Sequence, residues 1–234
     1  MSNPDGVLYL VPTPIGNLED ITLRALRVLR DVDLIACEDT RTSRVLLDRY
    51  EIQTPVTSYH DHNERSRTPE LIQRLEGGAS VALVSDAGSP GISDPGFFLV
   101  RACLECGIRV EALPGPTAFV PALTASGMPA DRFVFEGFLP AKKGRQTRLE
   151  ELATESRTII IYESPHRIVR TLRQLGEIMG ADRPAAVVRE VSKVYETVYR
   201  GSLGTLADEF AQADRVRGEI VLLVGPVPRK QRAD

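Results

Sequence analysis

Several acidic side chains sit where an α/β protein does its chemistry, at or just beyond the ends of apolar runs. Glu38 and Asp39 follow one such run, Asp86 and Asp94 lie in a stretch rich in glycine and proline, and Glu163 and Glu190 end two further runs. A carboxylate or an imidazole at such a place can accept a hydroxyl proton or steady a cation. It can equally cap a helix. Asp94, followed by Pro95, has the pattern of a cap with proline at the first helical position. Asp86 lacks that pattern and stands as a ligand candidate. Glu38-Asp39-Thr40-Arg41 reads either as a catalytic or as a structural charge network. His60 and His62 are two residues apart with no third ligand nearby, so no metal site is expected. His62 leads into a helix that Asn63 is placed to cap, and His166 falls in Glu163-Ser164-Pro165-His166-Arg167. Cys103 and Cys106 form a C-x-x-C pair without a partner pair, which predicts two helix thiols, at least one of them buried, rather than a disulfide or zinc centre.

Three loops stand out for their glycines and prolines. They are Pro12-Thr13-Pro14-Ile15-Gly16-Asn17-Leu18, residues 85–96, and Leu113-Pro114-Gly115-Pro116-Thr117-Ala118. Glycine lets backbone approach a ligand closely and proline stiffens a turn. Parallel α/β sheets bind ligands at the carboxyl ends of their strands, where all three loops are expected. None carries G-x-G-x-x-G or G-x-x-x-x-G-K-[ST], which counts against dinucleotides and ATP.

The elements that must hold these loops alternate. Strands are predicted at residues 7–11, 32–36, 55–58, 81–85 and 109–113, with helices at 20–29, 42–50, 63–76 and 95–106 between them. That rhythm implies a mostly parallel sheet with helices on both faces. The second half predicts strands at 133–136, 158–162, 185–191, 196–199 and 219–224 and helices at 145–153, 167–179 and 203–211. Its closely spaced strands make a mixed sheet plausible. The expected domains are 1–118 and 119–225, with a flexible tail over 226–234. At 234 residues, 42% hydrophobic and 26% charged, the composition is that of a globular α/β protein. The longest apolar runs are far short of a bilayer span and the N-terminus lacks a secretory pattern, so a cytoplasmic protein without a membrane partner is expected. The formal charge of −3 excludes holding nucleic acid by bulk charge but leaves room for a local basic surface.

Taken in order, the loops and strand ends resemble the ribosomal RNA small subunit methyltransferase I family of the tetrapyrrole methylase superfamily. The resemblance rests on residues 11–18, Ala36-Cys37-Glu38-Asp39-Thr40-Arg41, His60-Asp61-His62-Asn63-Glu64, Leu83-Val84-Ser85-Asp86-Ala87-Gly88, Asp94-Pro95-Gly96 and Leu113-Pro114-Gly115-Pro116. Gly137-Phe138-Leu139-Pro140, Tyr162-Glu163-Ser164 with His166-Arg167, Arg189-Glu190 and Gly218-Glu219 extend it to about residues 7–225. Family members often continue past the last strand with a small helical extension, whereas this sequence ends soon after Gly225.

The resemblance implies a two-domain α/β fold, usually a homodimer, with S-adenosylmethionine folded in a cleft between domains. It further implies 2′-O-methylation of a cytidine in the decoding region of 16S rRNA within the 30S ribosomal subunit. On that expectation Pro12, Asp86, Gly88, Ser89, Leu113, Pro114, Gly115, Thr117, Ala118, Tyr162 and Glu190 bind the cofactor, largely through backbone groups. Glu38, Asp39, His60 and His62 are the general-base candidates. Asn17, Arg41, Arg44, Lys142, Lys143, Arg145, His166 and Arg167 face the RNA, joined by Arg148, Arg170 and Arg173. Shared cofactor loops leave open a sister methyltransferase acting on a tetrapyrrole or a protein side chain, and a noncatalytic cofactor-binding protein.

Overall fold

A computed structural model describes residues 6–226, which divide at Thr117 and Ala118 into two compact units. The expected tail from residue 227 onward lies outside the described residues.

The first unit is an all-parallel sheet. Its strands are β1 (Val7–Leu10), β2 (Leu34–Cys37), β3 (Val56–Ser58), β4 (Ser80–Val84) and β5 (Arg109–Ala112), in the spatial order β3-β2-β4-β1-β5. Side chains alternate across the central strands as the pleat requires. Ala82 and Val84 enter one core with Ile35 and Cys37, and Val81 and Leu83 enter the other with Leu34 and Ala36. Helices α1 (Leu23–Asp31) and α2 (Thr40–Arg49) cover the first face through Ala25, Leu29, Leu46 and Leu47. Helices α3 (Glu64–Glu76) and α4 (Phe97–Glu105) cover the second through Leu71, Leu75, Leu99 and Cys103. The chain thus leaves β1 for one face and leaves the adjacent β4 for the other. Such a divergence opens a crevice at the carboxyl ends of the two strands, where α/β proteins bind ligands.

Local sequence sets the helix starts. Leu18–Asp20 forms a 3-10 turn whose cap, Asn17, accepts from the Glu19 N–H, and α1 begins only after Thr22, which accepts from the Ala25 N–H. The helix expected from residue 20 therefore starts three residues later, because Thr22 supplies a better cap. Asp39 caps α2. Cys103 is buried and Cys106 exposed at the end of α4.

The second unit carries α5 (Phe119–Ser126) and a mixed sheet of β6 (Phe133–Phe138), β7 (Thr158–Glu163), β8 (Pro184–Arg189), β9 (Thr197–Ser202) and β10 (Ile220–Val224). The order is β6-β7-β10-β8-β9, with β6 parallel to β7 and every other pair antiparallel. One face packs on α6 (Arg145–Ala153), α7 (Ile168–Met179) and α8 (Leu203–Gln212) through Leu149, Leu172, Leu175, Leu206 and Phe210. Helix α5 lies against β8, β9 and β10, and Arg200 donates to the carbonyl oxygens of Ala125 and Ser126 at its end.

Among the described residues no helix is long and apolar enough to cross a membrane, and no group of His, Cys, Asp and Glu is placed to hold a metal ion.

Candidate active site at the carboxyl ends of the parallel strands

The loop after β1 and the loop after β4 are stitched together by an antiparallel bridge. The Thr13 N–H donates to the Gly88 carbonyl at 2.8 Å and the Gly88 N–H to the Thr13 carbonyl at 2.9 Å. The Thr13 hydroxyl also donates to the Ser85 carbonyl at 3.0 Å. The third loop joins them through the Ser89 hydroxyl, which donates to the Pro116 carbonyl at 3.1 Å and meets Thr117 Oγ1. Gly115 is required at this junction. A Cβ there would lie 2.7 Å from Pro12 Cβ and 2.9 Å from Pro12 Cγ, closer than packed carbons approach. Three segments far apart in sequence thus form one preorganised floor.

This stitching changes what several expected cofactor contacts can do. The Gly88 N–H and carbonyl are taken by Thr13, and the Leu113 N–H donates to the Leu10 carbonyl at 3.0 Å. Gly88 therefore shapes the floor rather than offering it hydrogen bonds. Pro114 and Gly115 are exposed, Ser89, Thr117 and Ala118 half-buried and Pro12 buried beneath them.

Carboxylates gather on this floor. Asp86 Oδ1 accepts from the Asp39 N–H at 3.0 Å, tying the end of β4 to the end of β2. Burial pushes the Asp86 carboxyl up, partly offset by that hydrogen bond. Burial likewise raises Glu38, opposed by the Asp86 N–H and reinforced by the charges of Asp86 and Asp61, with His60 pulling the other way. Asp94 moves furthest. Burial, then the charge of Glu38, push it up to about 7, against a hydrogen bond from Ser85 and with further repulsion from Asp86 and Asp61.

The Asp94-Pro95 pattern predicts a cap for α4, but Gly96 occupies the cap position at φ 146 and no side chain caps the helix. The left-handed turn at Gly91 (φ 79) and Ser93 (φ 63) carries Asp94 instead toward Ser85 and Glu38. Nothing in the local Asp-Pro pattern distinguishes these outcomes. The signal that could have found it is the density of glycine on both sides, which lets the loop fold back.

The other base candidates fare differently. Asp39 is held to about 2 by hydrogen bonds from the Arg41 guanidinium and backbone N–H, a poor proton acceptor near neutral pH. Its role is to cap α2 and orient Arg41, whose side chain stays 89% exposed. His60 has its Nε2 lone pair engaged. Asn63 Oδ1 accepts from the His60 N–H at 2.9 Å, which turns the amide nitrogen toward Nε2 at 3.2 Å. That leaves the proton on Nδ1, which is buried with no partner among the described residues. Asn63 consequently makes no side-chain cap for α3, contrary to expectation. His62 is exposed, with its ring edge-on to His60 at 6.0 Å.

The expected RNA contacts divide into free and committed groups. Asn17, Arg44, Lys142, Lys143 and His166 are exposed. Arg44 lies 3.9 Å from Asp48. Arg145 is not a surface cation. It is 3% exposed and donates to Gln174 at 2.9 Å, the Pro140 carbonyl at 3.1 Å and Thr171 at 2.6 Å. Arg167 pairs with the fully buried Glu163 at 2.8 Å, and Arg148 grips both Glu136 and Glu151. Arg170 and Arg173 are exposed. Within the second unit Tyr162 stands edge-on to Phe135 and Phe138. Glu190 Oε1 accepts from the Glu219 N–H at 2.8 Å and from Lys193 at 3.0 Å, which braces a turn.

Known proteins share both sequence and fold. Residues 7–207 match the family described as Tetrapyrrole (Corrin/Porphyrin) Methylases. The ribosomal RNA small subunit methyltransferase I of Mesorhizobium japonicum is 54% identical, covering 95% of this chain and 76% of its own. The protein of the same name from Haemophilus influenzae is 49% identical over 100% of this chain and 83% of its own. Among solved structures, Thermus thermophilus uroporphyrin-III C-methyltransferase complexed with S-adenosyl homocysteine superposes with a TM-score of 0.66 at 21% identity, over 94% of this chain and 97% of that one. A diphthine synthase does so with a TM-score of 0.71 at 13% identity, over 94% and 90%. These structural likenesses speak to fold alone, whereas the identity and coverage of the bacterial relatives speak to descent: the chain belongs to the ribosomal RNA small subunit methyltransferase I family of tetrapyrrole methylases.

Proposed function

We propose that this protein transfers a methyl group from S-adenosylmethionine to the ribose 2′-hydroxyl of a cytidine in the decoding region of 16S rRNA, acting on the small ribosomal subunit. The observation that carries the reading is the partly buried carboxylate pair Glu38 and Asp94 on a loop floor built for a ligand, in a chain about half identical to rRNA methyltransferases.

The floor fits the cofactor's chemistry. Residues 12–18, 85–96 and 113–118 contain no lysine or arginine, while Asp86 and Asp94 are acidic. A phosphate-bearing cofactor needs cationic partners. A ligand with sulfonium and ammonium charges and hydroxyl donors needs acceptors, which Asp86 and the loop carbonyls supply. When bound, S-adenosylmethionine provides an electrophilic methyl group that needs no metal activation. Asp86, Ser89, Thr117 and the exposed Pro114 and Gly115 hold and orient it.

The remaining difficulty is the nucleophile, since a ribose hydroxyl is protonated at neutral pH. A base poised near 7 is best matched to remove that proton as the new bond forms. Asp94 has that property and Asp39 does not. Glu38 tunes Asp94 by its charge. Glu38→Gln should therefore move the midpoint of the pH–rate profile below its wild-type value near 7 and lower the rate only modestly. A fall of on the order of 10²-fold or more with no shift in the midpoint would instead make Glu38 the base.

Arg41, Arg44, Lys142 and Lys143 are the proposed phosphate contacts, with Asn17 and His166 as polar neighbours. Neutralising Lys142 and Lys143 together should raise the KM for ribosomal substrate severalfold and flatten its salt dependence by about two phosphate contacts, roughly 1.5 units of log–log slope. Cofactor affinity should stay unchanged. An unaltered KM would remove these lysines from the RNA surface. The reading as a whole is tested by methyl transfer to isolated small subunits, described below.

A further inference from the structure

The second unit contains a cavity of about 310 Å³ beside the end of α8. Arg189, Arg215 and Arg217 line it together with Tyr199, Phe210 and Glu209. Three guanidinium groups around one carboxylate make a local positive site in a chain of formal charge −3. Arg215 and Arg217 are exposed, and among the described residues neither forms an ion pair or a side-chain hydrogen bond. Arg189 is anchored without a carboxylate partner. Its guanidinium donates to the Arg217 carbonyl at 3.4 Å, the Tyr195 carbonyl at 3.4 Å and Thr197 Oγ1 at 3.3 Å. Its charge is thus fixed in place between two backbone segments, with no carboxylate in hydrogen-bond contact.

One of those segments is the turn between β8 and β9. Glu190 and Ser192 hold left-handed backbone at φ 55 and φ 63, unusual for residues with side chains. Lys193 clamps the turn to Glu190 at 3.0 Å and to Glu219 at 3.1 Å, and Glu196 accepts from the Ser192 N–H at 2.6 Å. Gly218 beneath it sits at φ 87, a left-handed backbone that favours glycine. All this bracing presents two apolar side chains to solvent, Val194 at 94% and Tyr195 at 73% exposure. A strained turn persists only where its surroundings over-determine it. An exposed aromatic residue whose carbonyl is held by an anchored arginine matches the pairing of base stacking with phosphate contact that single-stranded RNA needs.

We propose that Arg189, Arg215 and Arg217 form a binding site for the phosphodiester backbone of the RNA substrate, with the exposed Tyr195, whose carbonyl Arg189 holds, stacking on an unpaired base. The site rests on the reading of RNA as substrate and adds a second point of contact, on a different unit from the carboxylate floor. Planar guanidinium groups suit phosphate oxygens in a way lysines do not. A cavity of about 310 Å³ has room for one nucleotide rather than a bare ion.

The test uses the full chain with Arg215→Gln/Arg217→Gln and, separately, Tyr195→Ala. Each is measured for thermal unfolding, oligomeric state, S-adenosylmethionine affinity, transfer to small subunits and direct binding of a fluorescent single-stranded rRNA fragment. The double variant should bind the fragment about 10-fold more weakly at low salt, with a log–log salt slope smaller by roughly 1.5. Its folding and cofactor affinity should match wild type. Tyr195→Ala should weaken binding about fivefold without changing the salt slope. Equal RNA binding by folded wild-type and double-variant proteins overturns the proposal. So does displacement of free cytidine monophosphate alone, which would make the cavity a mononucleotide site. A change of oligomeric state in Tyr195→Ala with RNA binding intact assigns the turn to a second copy of the chain and overturns the stacking role. Wild-type protein that binds the fragment but transfers no methyl group would sink the proposed reaction while leaving this site standing.

Discussion

Asp94→Asn lowers methyl transfer at saturating cofactor and ribosomal substrate by on the order of 10²–10³-fold, with much smaller changes in the affinity for either ligand. The expectation follows from position and charge together. Asp94 lies beside Ser85 on the loop floor, and the negative groups facing it are Glu38, Asp86 and Asp61. They and burial push its carboxyl up to about 7, so it exists in both forms at the pH of the cell. A base works only when deprotonated, and the wild-type rate should climb as pH rises through about 7 and then level. The asparagine variant should lose that limb altogether. Stability has the opposite sign. Asp94 holds its proton more tightly when folded than when unfolded, where the ordinary value is 3.8. Its stabilising contribution is complete below pH 3.8 and is lost as pH rises through about 7. Asp94→Asn should therefore be more stable than wild type at pH 8, by on the order of 2 kcal/mol after allowance for solvent screening and with a higher unfolding temperature, and differ little at pH 4. A variant that is slower but equally stable across this range would detach Asp94 from the buried cluster. A variant of normal rate would remove it from catalysis.

Arg145→Ala destabilises the second unit by roughly 3 kcal/mol, which calorimetry would register as a fall of roughly 5–10 °C in Tm. Glu163 is fully buried at the end of β7. Its Oε2 accepts from the Thr171 hydroxyl at 2.6 Å, and that same hydroxyl accepts from Arg145 Nη2 at 2.6 Å. Its Oε1 accepts from the Ser164 N–H at 2.7 Å and from Arg167. Burial holds the guanidinium of Arg145 below its ordinary range, and the charge of Glu163 offsets only part of that. Removing Arg145 strips one of two cations from a carboxylate that has no water to turn to, and leaves Thr171, Gln174 and the Pro140 carbonyl short of a donor. Arg145→Lys should recover only part of the loss, since an ammonium cannot span three separated acceptors. Lys142 and Lys143, exposed three and two residues earlier, should leave Tm unchanged when neutralised. Were Arg145 an RNA contact instead, its loss would weaken substrate use and spare stability.

Arg145 also marks where sequence reading stops. In sequence it belongs with Lys142 and Lys143 in a basic stretch. Its burial is dictated by Glu163 and Thr171, which are 18 and 26 positions away and reach it only through the packing of α6 on α7. Strands such as β7, with Ile159, Ile160 and Ile161 fully buried, announce themselves because periodicity and β-branching are local properties. Parallel order in the first unit was legible for the same reason. Which loops meet was not. The bridge from Thr13 to Gly88 and the contact of Gly115 with Pro12 are tertiary, and they decide whose backbone is free for a ligand. In sequence Asp39 is a base candidate beside Glu38, and only the Arg41 guanidinium folded back upon it sets the two apart. The proximity of Arg189 to Arg215 and Arg217 is hidden in sequence because β9 and α8 lie between them.

The most direct measurement is methyl transfer from labelled S-adenosylmethionine to small ribosomal subunits purified from a strain lacking this gene, followed by nucleotide mapping of the 16S rRNA. The account predicts one new 2′-O-methylated cytidine in the decoding region, formed by wild-type protein and lost with Asp94→Asn. A methyl group found on a base or on a ribosomal protein, or no transfer from a preparation that binds the cofactor, would contradict it.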